Sequence, residues 1–359
     1  MNVIEEVGKY HDYAVSMRRE FHKHPELSWK EVETAGRIRD ELAGMGIPYE
    51  EVAGTGTIAT LKGKEDQPVI GLRCDIDALP IREVKSLPYC SQNQGVMHAC
   101  GHDAHISMLL TAARVLAEHQ DELKCTVKLI FQPAEELTNG AVKVLESGMV
   151  GKLDTVAGMH IFPYLESGTI SVDPGPRYTS ASFMNIKIIG KSGHGAMPQY
   201  AVDPIYVGAK VVDALQSIAS RETSPMDTVV VSICTFHSGT MANVFAETAE
   251  LSGTVRTFNP KLQKELPGMI ERIIKSTCEA YRAEYEFDYY SDIPATINDE
   301  YCSGIAAESV RKILGDKGLV KYAGTPGGED FSYFLEKISR GLRFCRMPQR
   351  VKGLLLFPS

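Results

Sequence analysis

Between residues 56 and 160 short apolar runs alternate with helical stretches, and three of those runs stop on groups that carry charge or bind cations. Strand pattern covers residues 57–61 and then 69–72, the second run leading into Arg73-Cys74-Asp75-Ile76-Asp77. A helix is predicted over 103–118, followed by a strand at 126–131 that ends in Gln132-Pro133-Ala134-Glu135-Glu136. After another helical stretch, Thr155-Val156-Ala157-Gly158-Met159 leads to His160. Alternation of this kind builds a mainly parallel sheet, because parallel strands need crossovers and the crossover helices cover both faces. Ligands and chemistry gather beyond the carboxyl ends of such strands. Asp75, Glu135, Glu136 and His160 all fall there. The expected fold class is α/β, a mainly parallel sheet flanked by helices.

The densest chemistry lies in His98-Ala99-Cys100-Gly101-His102-Asp103-Ala104-His105, which runs straight into the 103–118 helix. Thiolate and imidazole bind zinc-like cations best, and Gly101 permits a tight bend that turns Cys100 and His102 toward one centre. The plain alternative is a polar helix start with core histidines. His105 is a weaker ligand candidate, since it lies just ahead of the apolar stripe Ile106, Leu109, Leu110, Ala113 and Ala117.

Near residue 177 the pattern changes. Met184, Ile186 and Ile188 alternate with Phe183, Asn185 and Lys187, as in an antiparallel strand. A helix at 203–221, strands at 227–236 and 246–256, a helix at 260–281 and a strand at 284–290 complete a βαββαβ order of the ferredoxin-like kind. Helical pattern returns at Tyr301. Residues 178–290 therefore read as an inserted α+β unit, with 1–177 and 291–359 forming the α/β part. At 359 residues, two domains are expected in any case.

A net charge of −8 argues against nucleic acid or an anionic membrane as the main partner. No apolar run is long enough to span a bilayer, and the N-terminus has no basic and apolar leader pattern. Eight scattered cysteines form no disulfide framework, which fits a reducing, cytoplasmic compartment.

Glu135 and Glu136 are either two solvated acids or a divided pair, one binding metal while the other moves a proton. Asp75 can cap a loop or orient a ligand imidazole, and Asp77 is expected to cap the following turn. His22 and His24 are either ligands or, the preferred reading, structural residues holding the turn at Pro25, with Ser28 capping the next helix ahead of Glu31. His194, in Ser192-Gly193-His194-Gly195, is an accessible loop histidine or a donor to a developing oxyanion. Asn243 and Arg256 either bind a substrate carboxylate or carbonyl, or satisfy strand ends. Phosphate-loop, nucleophile-elbow and kinase motifs are absent.

These segments, together with residues 18–27, Asp75-Ile76-Asp77-Ala78-Leu79-Pro80, Ser192-Gly193-His194-Gly195-Ala196 and Glu329-Asp330-Phe331-Ser332, occur in one order along the chain. In that order they closely resemble the metal-dependent amidohydrolases of the aminoacylase, hippurate hydrolase and auxin-conjugate hydrolase group. Those enzymes are kin of the dinuclear zinc aminopeptidases and carboxypeptidases. The resemblance implies Cys100, His102, Glu136 and His160 as metal ligands, Glu135 as general base and Asp75 as an orienting residue. It implies two divalent ions, Zn²⁺ or Mn²⁺, and hydrolysis of N-acyl or N-aroyl amino acids or of dipeptide-like bonds. It also makes 178–290 a lid that dimerises, with His194 reaching the partner's site.

One departure stands out. The group supplies a further ligand histidine near its C-terminus, whereas here no histidine follows His237. Residues 338–359 carry five arginines or lysines and no acid, as a frameshifted or truncated end would. This predicts a single tightly held metal and reduced turnover. The competing reading is an inactive relative or binding protein.

Overall fold

The structure, a computed structural model, describes residues 2–339. The basic segment from residue 340 onward, on which the loss of a second metal was expected, lies outside them. The described chain divides into two compact units. Unit 1 holds residues up to Pro174 together with Asn298–Tyr322 and the segment from Asp330, and unit 2 holds Gly175–Ile297 and Ala323–Glu329.

Unit 1 opens with three helices, α1 (Val3–Gly8), α2 (His11–Lys23) and α3 (Val32–Gly44). From the sequence alone, residues 3–46 read as two helices with Pro25 as the breaker between them. Strands β1 (Tyr49–Val52), β2 (Gly56–Leu61) and β3 (Val69–Asp75) follow, then α4 (His102–Glu118), β4 (Thr126–Gln132), α5 (Gly140–Glu146) and β5 (Thr155–Gly158). They form one sheet in the order β1-β2-β4-β3-β5. Strand β3 pairs in parallel with both β4 and β5, while β2 runs antiparallel to β4 and to β1. Four of these five strands therefore point one way.

Register does the positioning. Asp75 lies opposite Gln132, and Arg73 lies opposite Gly158, so the carboxyl ends of β3, β4 and β5 stand side by side. The loops carrying Asp77, Glu135–Glu136 and His160 thus leave the sheet at one edge. Helix α4 is buried nearly all round, with Ile106, Leu109, Leu110 and Ala113 against Leu129, Phe131 and Ile76. At about 1.5–3 kcal/mol for each fully buried large apolar side chain, this packing fixes the helix and hence His102 at its first position.

Unit 2 contains β6 (Gly175–Tyr178), β7 (Ser180–Ile189), β8 (Gly193–His194), α6 (Pro204–Ser217), β9 (Val229–Ser238), β10 (Val244–Phe245), β11 (Thr248–Thr257), α7 (Pro260–Ala280), β12 (Glu284–Ile293) and β13 (Thr296–Asn298). Its main sheet is fully antiparallel in the order β12-β7-β11-β9, the 4-1-3-2 order of a ferredoxin-like unit. Met184, Ile186 and Ile188 pack on Val207, Val211 and Leu215 of α6 and on Leu266 and Ile270 of α7. Asp203 and Asn259 cap α6 and α7, each followed by a proline that suits the first helical position. Back in unit 1, α8 (Glu300–Leu314) and α9 (Ser332–Ser339) complete the described chain. Among the described residues no helix is long and apolar enough to cross a membrane.

Candidate metal centre

Gly101 makes the centre possible. Its φ of 90° is left-handed, and a Cβ there would lie 2.2 Å from Ile161 Cδ1. Only glycine allows the chain to bend so sharply into α4 while keeping Ile161 this close. Cys100 and His102 then flank the bend.

The ligand-type atoms of Cys100, His102 and His160 lie within 4.8 Å of one another, and so do those of His102, Glu135 and Glu136. His102 is common to both groups and is fully buried. Its Nδ1 donates to the Asp77 carbonyl oxygen at 2.9 Å, so in the neutral ring Nε2 carries the lone pair. His160 is set the same way, with Nδ1 donating to the Ile161 carbonyl at 2.6 Å and Nε2 facing Cys100 Sγ at 3.3 Å. His102 Nε2 and Glu136 Oε1, 3.9 Å apart, are buried without a hydrogen-bond partner. Buried polar atoms are seldom left so, and two of them facing each other beside a thiol and a second imidazole fit a divalent cation.

The charges point the same way. Burial alone would raise the Cys100 thiol, but His102 and His160 hold it below its usual range. Burial alone would keep His102 neutral, yet Asp75 and Asp77 draw its pKa well above the ordinary histidine value. Burial also raises Glu136. A pocket that stabilises an imidazolium this strongly has an excess of negative charge for a cation to balance.

The two aspartates of Asp75-Ile76-Asp77 differ in what they hold. Asp75 accepts from His105 Nδ1 at 2.6 Å and from Arg73 at 2.8 Å, and lies 3.7 Å from His102 Nε2. Burial would raise its carboxyl, but His102, His105 and Arg73 keep it well below the carboxylate range. Asp77 was expected only to cap a turn. Its carboxylate does accept from Ser28 Oγ and from the Glu136 amide, but it also lies 3.3 Å from His102 Nδ1, on the side remote from the lone pair. Ser28 is consequently no helix cap; α3 begins four residues later.

Glu135 is 6% exposed and follows Ala134, whose φ is 51°. That strained turn is held by fully buried Glu31, which accepts from the Ala134 amide at 2.9 Å and from Thr55 Oγ1. The sequence pattern offered Glu31 only as the partner of a Ser28 cap, not as the support of this turn. Asp330, also fully buried, accepts from Arg73, Gln132 and the Ala141 amide. His22 pairs with Asp103 at 2.9 Å and with Glu83 rather than with the turn at Pro25. His98 is pushed down to about 4 by burial and joins none of these groups.

His194, Asn243 and Arg256 belong to unit 2. There β8 pairs with β10, which places His194 opposite Val244, and the Asn243 carbonyl accepts from Gly195. His194 is exposed, and its Nδ1 accepts from the Ala196 amide at 3.1 Å, so the neutral ring presents Nε2–H outward. Arg256 is partly buried, donating to Thr254 Oγ1 with its guanidinium 5.7 Å from the Phe183 ring centre.

A model of the family described as peptidase family M20/M25/M40 matches residues 71–352. The chain belongs to this family. It is 42% identical over 331 residues to N-acetylcysteine deacetylase of Bacillus subtilis, covering 92% of this chain and 87% of that one. It is 40% identical over 289 residues to N-acyl-L-amino acid amidohydrolase of Geobacillus stearothermophilus, covering 80% and 78%. The crystal structure of the Bacillus subtilis YXEP protein, a dinuclear metal binding peptidase, superposes with a TM-score of 0.82 at 39% identity, covering 92% and 87%. The M20 chain described here is thus a metal-dependent amidohydrolase, with a divalent cation as its cofactor and a small molecule as its substrate.

Proposed function

We propose that this enzyme hydrolyses the amide bond of N-acyl or N-aroyl amino acids, dipeptide-like bonds being the nearest alternative. We assign Cys100, His102, Glu136 and His160 as metal ligands and Glu135 as general base. The observation that carries the reading is the facing pair of unpartnered atoms, His102 Nε2 and Glu136 Oε1, beside Cys100 and His160. One thiolate, two imidazoles and a carboxylate suit Zn²⁺ better than Mn²⁺, which prefers oxygen donors. Such an ion, when bound, polarises the amide carbonyl and acidifies water.

The protein groups supply the rest. Asp77 and the Ile161 carbonyl fix the two imidazoles with Nε2 inward. The Glu135 carboxylate, within 4.8 Å of the His102 and Glu136 ligand atoms, takes a proton from the attacking water and returns it to the departing amine nitrogen. Asp75, held by Arg73, keeps a negative charge beside His102.

We further propose that unit 2 acts as the lid and dimerisation unit. The outward Nε2–H of His194 suits it to donate to an oxyanion in a partner's site, and Asn243 and Arg256 suit a substrate carboxylate or carbonyl. Mixing inactive His194→Ala and Glu135→Gln proteins should then restore activity once subunits exchange. A reducing, cytoplasmic setting keeps Cys100 available as thiolate.

Metal analysis per chain, combined with a panel of N-acetyl, N-benzoyl and indole-acetyl amino acids in Zn²⁺ or Mn²⁺, tests these assignments. Turnover of none of the panel with metal bound would overturn the substrate reading. The same analysis counts the ions held per chain.

A further inference from the structure

His105 sits one helical turn after His102 and carries the same donor atoms, yet both its ring nitrogens are engaged elsewhere. The Ile161 amide lies 2.9 Å from Nε2, and a backbone N–H can only donate. Nε2 therefore accepts, and the neutral ring holds its proton on Nδ1. That proton points at Asp75 Oδ1, 2.6 Å away. The opposite carboxylate oxygen of Asp75 is held by Arg73 at 2.8 Å, and Arg73 reaches Asp330 at 2.9 Å and Gln132 at 2.8 Å. Asp75, His105 and Asp330 are each at most 2% exposed. The run of contacts ends at the loop after β5, where Ile161 gives its amide to His105 and its carbonyl to His160 Nδ1.

We propose that His105 is a positioning residue, the latch that fixes the Ile161 peptide and so aims His160 Nε2 at the metal. The latch rests on the reading of His160 as a ligand given above. Among the described residues the Ile161 amide donates to His105 alone, and without that acceptor the peptide is free to turn and carry its carbonyl away from His160. Asp75 chooses the tautomer of His105, and Arg73 with Asp330 holds Asp75 in place, which gives three buried residues a function that none of them performs by touching substrate. Ligand orientation by such outer contacts commonly affects metal affinity by about 10–100-fold.

The test measures the latch separately from the ligand. His105→Leu removes the acceptor at similar bulk, and His105→Gln can restore one toward Ile161. Hydrogen exchange of the Ile161 amide in metal-free protein should accelerate at least about tenfold in the Leu variant, with Zn²⁺ affinity falling about 10–100-fold, and the Gln variant should recover much of both. Wild-type protection and affinity in the Leu variant, or a Gln variant no better than Leu, would overturn the proposal. Should the Leu variant fail to fold, ring ¹⁵N spectra of the unmodified protein decide: an Nδ1–H tautomer supports the latch and an Nε2–H tautomer excludes it. His160→Ala separates the two readings, because it should abolish tight Zn²⁺ binding while leaving the His105 tautomer unchanged. Retained affinity there would sink the ligand assignment and with it the latch's aim at the metal, leaving only the hold of His105 on the Ile161 peptide.

Discussion

Replacing Gly101 with alanine should damage folding and metal binding together, and the two contributions can be separated. The backbone at Gly101 has φ 90° and ψ 19°, and a left-handed conformation costs an L-residue about 1–2 kcal/mol. The added methyl would also lie 2.2 Å from Ile161 Cδ1 and 2.6 Å from Cγ1. Overpacking of this kind costs about 1–3 kcal/mol, less to the extent that the isoleucine rotates away. The sum is about 2–5 kcal/mol, a drop in Tm on the order of 3–7 °C for a protein of 359 residues. Gly148 provides the control: its φ is 73°, but nothing lies within 4 Å of its Cβ position, so Gly148→Ala should show the backbone cost alone. The crowding at Gly101 also pushes on the residue next to His160, so Zn²⁺ affinity should fall at least about tenfold, or ~1.4 kcal/mol. Calorimetry with and without Zn²⁺, alongside a competition titration with a chelator, measures both. Equal destabilisation by the two substitutions, with Zn²⁺ affinity unchanged at Gly101→Ala, would refute the claim that the close approach of Ile161 matters.

Glu135→Gln should retain metal while lowering kcat by about 100-fold or more, as checked by steady-state kinetics on metal-verified protein; an unchanged rate removes Glu135 from the mechanism. Asp77→Asn keeps the size of the side chain but removes the charge 3.3 Å from His102 Nδ1, and should weaken Zn²⁺ binding by about tenfold or more in an equilibrium titration. His22 lies between Asp103 and Glu83, with Arg18 and His98 also near Asp103, and its pairing with Asp103 raises its pKa above the free value of about 6.5. Its contribution is therefore complete below that value and is lost as pH rises through the raised one. The stability difference between wild type and His22→Leu in urea should be larger at pH 6 than at pH 9, and a difference independent of pH would show that the pair is not ionic.

Much of the centre was legible because period and punctuation are local. Apolar runs that stop at Asp75, before Glu135 and before His160 identify strand ends, and register then brings β3, β4 and β5 together. The alternation of Met184, Ile186 and Ile188 gave the face of β7 in the same way. What stayed hidden was contact between residues far apart in the chain. Arg73 meets Asp330 across 257 positions, and Glu31 meets Ala134 across 103, and neither contact leaves any periodic trace. Asp77 left a weak one, since an Asp-x-Asp at a strand end can face two different histidines. Strand β1 was missed because Tyr49, Glu50 and Glu51 are exposed on a sheet edge, where charged residues discourage further pairing.

The same distant contacts explain how the proposed cation site can stand at the start of a helix. The N-terminus of α4 carries the positive end of the helix dipole, roughly half a charge, which opposes a metal at His102. That field favours the Cys100 thiolate just before it. Asp75, Asp77 and Glu136 add negative charge around the imidazole, and Asp75 and Asp77 draw the His102 pKa upward against its burial. Their burial is costly, and buried ion pairs such as Arg73 with Asp75 and Asp330 seldom stabilise a fold on balance. Unit 1 carries that cost within its apolar packing of α4 on the sheet. The arrangement makes sense as the means of holding an anionic pocket rigid at a place where the backbone alone would repel its ligand.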